Sequence, residues 1–203
     1  MCNIAQIYAN STVLDPFCGS CSTLLAATHL ATLPILSEKC RIQTVGIELA
    51  HSGYVNFEHV HQDFVSRDLP PPKALLRGDC QSSHLRKQAR EAIGNQAFDV
   101  IVTDPPYGIR ESMDQIQDTD FPPLVEWIHS MIEDLKHGTP ILKNGGRMVV
   151  FLPVMEGEDM ETKLPSKDLL DSAGLTLLDA REQVLSRILS RWMVVFTYNH
   201  EKK

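Results

Sequence analysis

Short apolar runs rich in β-branched residues alternate with helical patterns along most of the chain. Ser11–Asp15 (STVLD) predicts a strand that ends in a loop, and Thr23–Leu33 predicts the helix after it. Gln43–Leu49 (QTVGIEL) predicts a second strand and His51–Phe64 a second helix. Pro70, Pro71 and Pro72 then break the chain before a third strand, Ala74–Arg77. Ser83–Ile93 reads as helix, and Phe98–Thr103 (FDVIVT), almost wholly apolar, as a fourth strand. Leu124, Val125, Ile128, Met131, Ile132 and Leu135 recur at a spacing that places one apolar stripe on a helix, with Gly138 as its stop. Arg147–Leu152 (RMVVFL) predicts a fifth strand and Asp168–Ala173 a short helix. Leu175–Leu185 and Trp192–Tyr198 predict two closing strands.

Continuous apolar strands that alternate with helices indicate a parallel sheet covered on both faces. The closing pair has only a short connection, so one C-terminal strand should run antiparallel. The expected class is α/β, doubly wound and Rossmann-like, mostly parallel with an antiparallel C-terminal strand. Residues 1–203 are expected to form a single domain. No internal repeat is visible. Sheets of this kind bind ligands beyond the carboxyl ends of their strands, near the point where strand order reverses. The loops after the first four strands each carry an acid there: Asp15, Glu48, Asp79 and Asp104.

The first loop reads Asp15-Pro16-Phe17-Cys18-Gly19-Ser20-Cys21. A glycine between strand and helix lets a ligand approach the backbone, and the helix N-terminus offers N–H groups to a carboxylate. Asp15 suits an ammonium group, so the two poles together match the methionine end of S-adenosylmethionine. Glu48, followed by Leu49, stands where a carboxylate can accept both hydroxyls of a ribose. Asp79 can accept a hydrogen bond from an adenine amine, with Cys80 beside the ring. Each of these three signals is weak alone.

The fourth loop, Asp104-Pro105-Pro106-Tyr107-Gly108, says most. An exocyclic base amine is a poor nucleophile because its lone pair is delocalised into the ring. Asp104 and the Pro105 carbonyl can accept its two N–H hydrogens and draw the nitrogen towards a tetrahedral geometry. Pro105 and Pro106 hold that carbonyl rigidly, and Tyr107 can stack on a base taken out of its helix. A strand-ending Pro-Pro turn is the plain reading of this loop alone. Four such loops in order argue for a site.

The chain has 26 acidic and 19 basic residues, a net charge of −7. A domain that gripped nucleic acid alone would need the opposite balance, since Lys and Arg displace the condensed counterions. A nucleic-acid substrate would therefore have to be held largely by another domain or partner. The longest strongly apolar run, Met148–Met155, is too short to span a bilayer and contains Pro153, so no membrane association is expected. No Lys or Arg precedes Lys39, as the start of a secretory signal would require. Five irregularly spaced cysteines fit a reducing compartment, cytoplasmic or nuclear.

DPFCGS, VGIEL, LLRGD and DPPYGIRE together resemble the class I RNA methyltransferases that make N2-methylguanosine, in particular the tRNA guanosine-10 N2-methyltransferase family. That family follows its DPPYG with an arginine, here Arg110, with Glu111 after it. Met1–Ala5 is similar to the end of the helix before the first strand, and Ser186–Arg191 (SRILSR), more loosely, to a C-terminal Ser-Arg segment. The resemblance covers nearly the whole chain. It implies S-adenosylmethionine as methyl donor and guanosine in tRNA as substrate. It assigns Asp15, Pro16, Phe17, Gly19, Ser20, Cys21, Glu48, Leu49, Asp79 and Cys80 to the cofactor, and Asp104, Pro105, Pro106 and Tyr107 to the base. For a eukaryotic chain it also implies a small zinc-binding activator protein. Two departures stand out. Cys21 occupies the place of a second loop glycine, and the family's N-terminal RNA-binding domain, of the THUMP type, has no counterpart in these residues.

Adenine N6-methylation of DNA or RNA is the alternative chemistry, and a non-catalytic remnant kept for its partner is the alternative class. A dinucleotide oxidoreductase shares the fold but needs G-x-G-x-x-G, which is missing. Cys18 and Cys21 form a C-x-x-C with no second pair at zinc-finger spacing, so no metal is expected there. His51, His59 and His61 near Glu58 read as a solvated helix face, and Arg86, Lys87 and Arg90 as a small basic cluster on an ordinary helix face, with phosphate contact as the alternative. Trp127 and Trp192 read as core or partner-facing residues.

Overall fold

A computed structural model describes residues 1–31, 42–49, 55–107 and 121–199. In chain order the elements are β1 (Thr12–Asp15), α1 (Ser22–Ala31), β2 (Gln43–Glu48), α2 (Phe57–Ser66), β3 (Ala74–Arg77), α3 (Ser83–Glu91) and β4 (Phe98–Thr103). There follow α4 (Pro122–Lys136), β5 (Leu142–Met155), α5 (Met160–Lys163), α6 (Lys167–Ser172), β6 (Leu175–Val184) and β7 (Leu189–Tyr198). Residues 32, 33, 39, 51–54 and 108–111 of the sequence reading lie outside the described residues.

The strands form one seven-stranded sheet in the order β3-β2-β1-β4-β5-β7-β6. β1 to β5 are parallel neighbours, and β7 runs antiparallel to both β5 and β6. This is the doubly wound, mostly parallel sheet with one reversed C-terminal strand that the hydrophobic pattern predicts. Strand order reverses between β1 and β4, so the crevice of such sheets opens at their carboxyl ends, beside Asp15 and Asp104.

Both faces are covered at β1, β2, β4 and the second half of β5, which is why these strands are apolar at successive positions, whereas β6 is exposed along most of its length. Leu14, Ile47, Ile101, Met148, Val150 and Phe196 pack with Trp127 and Ile128 of α4. Their strand neighbours Val13, Val100, Val102, Val149 and Val195 pack on the other face with Leu24 of α1 and Phe64 of α2. Met1–Ala5 adds one turn, closed by Ala5 N–H to the Met1 carbonyl at 2.9 Å, and seats Ala5 against that second face.

Three elements differ from the pattern. β5 begins at Leu142, five residues before the predicted Arg147, because its first half is irregular. Gly145 sits at φ +78°, and a Cβ on Gly146 would come within 2.8 Å of the Asp99 carbonyl oxygen. Those glycines read as loop in a sequence, whereas here they let β5 pass close to β4 across a register shift. The four-residue α5 is too short to show a period and is started by Asp159, whose carboxylate caps Glu161 N–H at 3.0 Å. The third difference concerns Arg86 and Arg90 of α3, expected on an ordinary helix face. Both are buried, because Asp134 of α4 supplies a partner that the local sequence does not reveal.

Candidate active site

β1 ends in Asp15, whose side chain is buried rather than presented to solvent. Its Oδ1 accepts the Thr103 hydroxyl at 2.7 Å and the Phe17 N–H at 3.1 Å. Thr103 is the last residue of β4, so one hydrogen bond ties the first loop to the fourth across the reversal point. Burial pushes the Asp15 carboxyl up to about 7, with the negative charge of Asp104 adding to the rise and the Thr103 and Phe17 hydrogen bonds opposing it.

The turn after Asp15 is held from β2. Cys18 N–H reaches the Ile47 carbonyl at 2.9 Å, and Gly19 N–H donates to Glu48 Oε2 at 2.9 Å. A Cβ placed on Gly19, at φ +49°, would meet nothing within 4 Å, so the space beside this backbone is open. Pro16 is buried, Phe17 leans on the core, and Ser20 is exposed. Leu49, 55% exposed, leaves an apolar side chain in solvent next to Glu48. An apolar ring would cover such a residue.

Cys21 adopts φ +63°, the left-handed conformation that glycine takes without cost. The backbone thus keeps the shape that a glycine would give, and the side chain is wholly buried, turned into the core rather than into the open space. The thiols of Cys18 and Cys21 both point at the Gly19 carbonyl, at 3.9 and 3.8 Å. Their mutual contact and burial push the Cys18 thiol far above its ordinary range, which makes it a poor nucleophile.

After β3, Gly78 N–H bonds the Glu48 carbonyl at 2.8 Å, so the second and third loops start side by side. Asp79 is exposed, and its Oδ1 accepts Gln81 N–H at 2.8 Å, closing its own turn. Cys80 is buried, with its thiol pushed up to about 12 by that burial. Arg86 Nη1 donates to the Cys80 and Gln81 carbonyls and so fixes this loop from below. Sequence reasoning missed that role, since it depends on Asp134, 48 residues away.

In the fourth loop Pro105 is buried, Pro106 exposed, and Asp104 and Tyr107 are half-buried. The Tyr107 hydroxyl donates to Asp104 Oδ1. Arg191 Nη1 donates to Oδ2 at 3.1 Å. Burial and the adjacent carboxylate raise the Tyr107 phenol above its usual range, so it remains a donor. Arg191 is a site residue that the sequence signalled only through the Ser186–Arg191 segment. The fold thus brings Asp15, Gly19 and Glu48 together, sets Asp79 and Cys80 in the neighbouring loop after β3, and links Asp104 through Thr103. Glu58, His59 and His61 are exposed on α2.

No family model matches the chain. Curated relatives include the tRNA (guanine(10)-N(2))-methyltransferase of Xenopus laevis, 27% identical over 218 residues, with 96% of this chain and 42% of that protein covered. The enzyme of that name from Saccharomyces cerevisiae is 26% identical over 196 residues, covering 83% and 42%. The chain therefore spans less than half the length of these relatives. Among solved structures, the YcgJ protein of Bacillus subtilis superposes with a TM-score of 0.59 at 11% identity, over 99% of this chain and 97% of that one. The 16S rRNA (adenine(1408)-N(1))-methyltransferase of Catenulisporales acidiphilia gives 0.58 at 12%, over 100% and 92%. The chain shares the Rossmann-like fold of these solved structures.

Proposed function

We propose that this chain is the catalytic part of an S-adenosylmethionine-dependent methyltransferase that acts on the exocyclic N2 amine of guanosine in tRNA. The observation that carries the reading is the Thr103–Asp15 hydrogen bond at 2.7 Å. It couples the loop suited to the cofactor to the loop suited to a base amine, at the reversal of strand order where sheets of this kind bind ligands. The similarity to tRNA guanine-N2 enzymes supports the choice of amine.

The residues present fit the cofactor. The open space at Gly19, the Glu48 carboxylate across it and the exposed Leu49 offer room, a hydroxyl acceptor and an apolar cover. When bound, S-adenosylmethionine supplies a methyl group already activated by its positive sulfur. The protein's part is positioning and electrostatics. Asp104 and the Pro105 carbonyl accept the two amine hydrogens and restore the nitrogen lone pair. Tyr107 covers the base. With the donor bound, the amine would gain the methyl group and then shed one proton. Asp104 is the group in place to receive it.

The test is transfer of labelled methyl to an unmodified tRNA transcript, with and without a zinc-binding activator protein, followed by nucleoside analysis. Label in N2-methylguanosine is the expected result, and label in N6-methyladenosine would overturn the choice of base. Asp104→Ala should lower transfer by about 10²–10³-fold, the range for losing one preorganised polar contact to the reacting centre, while cofactor binding persists. Equal loss of both would remove Asp104 from the chemistry.

A further inference from the structure

Arg191 reaches Asp104 from β7, 87 residues along the chain, is held on three sides, and also bonds the Tyr107 hydroxyl. Its guanidinium lies 3.9 Å above the Phe151 ring. Its Nε donates to Gln183 Oε1 at 2.8 Å, and its Nη1 donates to Asp104 Oδ2. The sheet register dictates this arrangement: Arg191 lies opposite Pro153 of β5 on one side and Gln183 of β6 on the other. A planar, multiply donating cation that also stacks on a ring fits such a place, and a lysine would not. Arg191 and Asp104 are 24% and 39% exposed, so the pair sits at the mouth of the crevice and not in the core.

The other oxygen of Asp104 is already in use. Oδ1 holds the Tyr107 hydroxyl, so the acceptor that a base amine needs is taken by the residue meant to stack on that base. One hydrogen bond to the carboxylate must therefore be exchanged for another when the base arrives. A carboxylate free to rotate would follow the tyrosine or turn to water.

We infer that Arg191 is a positioning residue: it anchors Asp104 through Oδ2 while Oδ1 passes from the Tyr107 hydroxyl to the amine of the incoming base. Its catalytic meaning rests on the proposed methyl transfer, whereas the anchor and the occupied oxygen rest on geometry alone. Arg191 touches no reacting atom. It acts by keeping one carboxylate oxygen aimed, where a misplacement of about 1 Å costs on the order of 10²-fold in rate.

Two measurements on the whole chain test this. In the first, 3-fluorotyrosine is incorporated and the Tyr107 signal, identified with Tyr107→Phe, is followed by fluorine NMR. The free protein should show Tyr107 at a position different from that in Asp104→Ala. Unmodified tRNA transcript with S-adenosylhomocysteine should move it towards the Asp104→Ala position. An identical signal in wild type and Asp104→Ala overturns the inference, as does one left in place by RNA at concentrations where a parallel gel shift shows the chain saturated. This readout needs no turnover, so a wild-type chain that transfers no methyl counts against the function and not against the anchor. In the second, Arg191→Ala should lower kcat by about 100-fold with cofactor affinity retained, free guanidinium should restore part of the loss, and Arg191→Lys should fall between. Parallel loss of kcat and cofactor affinity without guanidinium rescue would make Arg191 merely structural.

Discussion

Arg86 and Asp134 close a two-pronged ion pair inside the protein, Nε to Oδ2 at 2.8 Å and Nη2 to Oδ1 at 3.0 Å. Both side chains are buried, and Arg90 adds a third contact at 3.3 Å. The pair ties α3 to α4 and, through the Cys80 and Gln81 carbonyls, fixes the loop that bears Asp79. Removing one partner strands the other charge away from water, which costs about 3–5 kcal/mol. Urea unfolding of Arg86→Ala should show a loss of that order, with Arg86→Met/Asp134→Leu losing less than either single change. A loss within ~1 kcal/mol for Arg86→Ala would mean that Arg90 alone neutralises Asp134.

The sheet was legible because its central strands are buried on both faces and read as apolar runs, and α4 carries a stripe at a period of 3.6. The four acids were legible because strand ends in such a sheet converge on one crevice. What stayed hidden depended on partners distant in sequence. Arg86 looks like a surface cation until Asp134 is placed beside it. Arg191 looks like one more charge on a closing strand until β7 lies antiparallel to β5. The conformation of Cys21 was signalled only by the resemblance that puts a glycine at its place, since a cysteine does not itself announce a positive φ.

The raised Asp15 carboxyl makes stability depend on pH with a definite sign. Its folded value, about 7, lies above the ordinary 3.8, so folding takes up a proton. That contribution is complete below the unfolded value and is lost as pH rises through about 7. At ~1.4 kcal/mol per unit, the two ends of the range differ by on the order of 4 kcal/mol. Asp15→Asn keeps an acceptor for Thr103 and Phe17 but carries no charge. It should match wild type near pH 4 and exceed it at pH 8 in thermal unfolding. A variant less stable than wild type at both pH values would show that the charged form is favoured in the fold. If Asp15 faces the ammonium of the cofactor, affinity for S-adenosylmethionine should also strengthen from pH 6 to pH 8 in wild type and change less in Asp15→Asn.

Cys21 reverses the usual order of small-residue substitutions. At φ +63° any side chain meets the strain that left-handed backbone imposes, about 1–2 kcal/mol. Cys21→Ala keeps that strain and loses the buried sulfur, whereas Cys21→Gly loses the sulfur and the strain together. The glycine variant should therefore be the more stable of the two by about 1 kcal/mol, although glycine ordinarily costs unfolded-state entropy. Cofactor affinity should survive in both, since the side chain points into the core. An alanine variant equal to or better than the glycine variant in denaturant titration would show that the loop has relaxed out of the left-handed region.

Gly46 and Cys18 supply the sharpest test of how β2 shapes the cofactor loop. A Cβ on Gly46 would stand 2.7 Å from Cys18 Sγ, 3.0 Å from Cys18 Cβ and 3.1 Å from Leu24 Cδ1. Gly46 lies mid-strand between β1 and β3, in register with Asp15 and Leu75, so it cannot move aside without breaking two ladders. The loop must yield instead. Gly46→Ala should cost about 1–3 kcal/mol as overpacking, and it should weaken S-adenosylmethionine binding by lifting Gly19 away from Glu48. Cys18→Ala alone removes a buried sulfur and is mildly destabilising. In the double variant the shortest clash is gone, so the two changes together should cost less than their sum by roughly 0.5–1.5 kcal/mol, within the range for residues in direct contact. The coupling should appear in cofactor affinity as well as in stability. Strict additivity in both would mean that Leu24, not Cys18, absorbs the added methyl, and that the loop keeps its place whatever stands at residue 46.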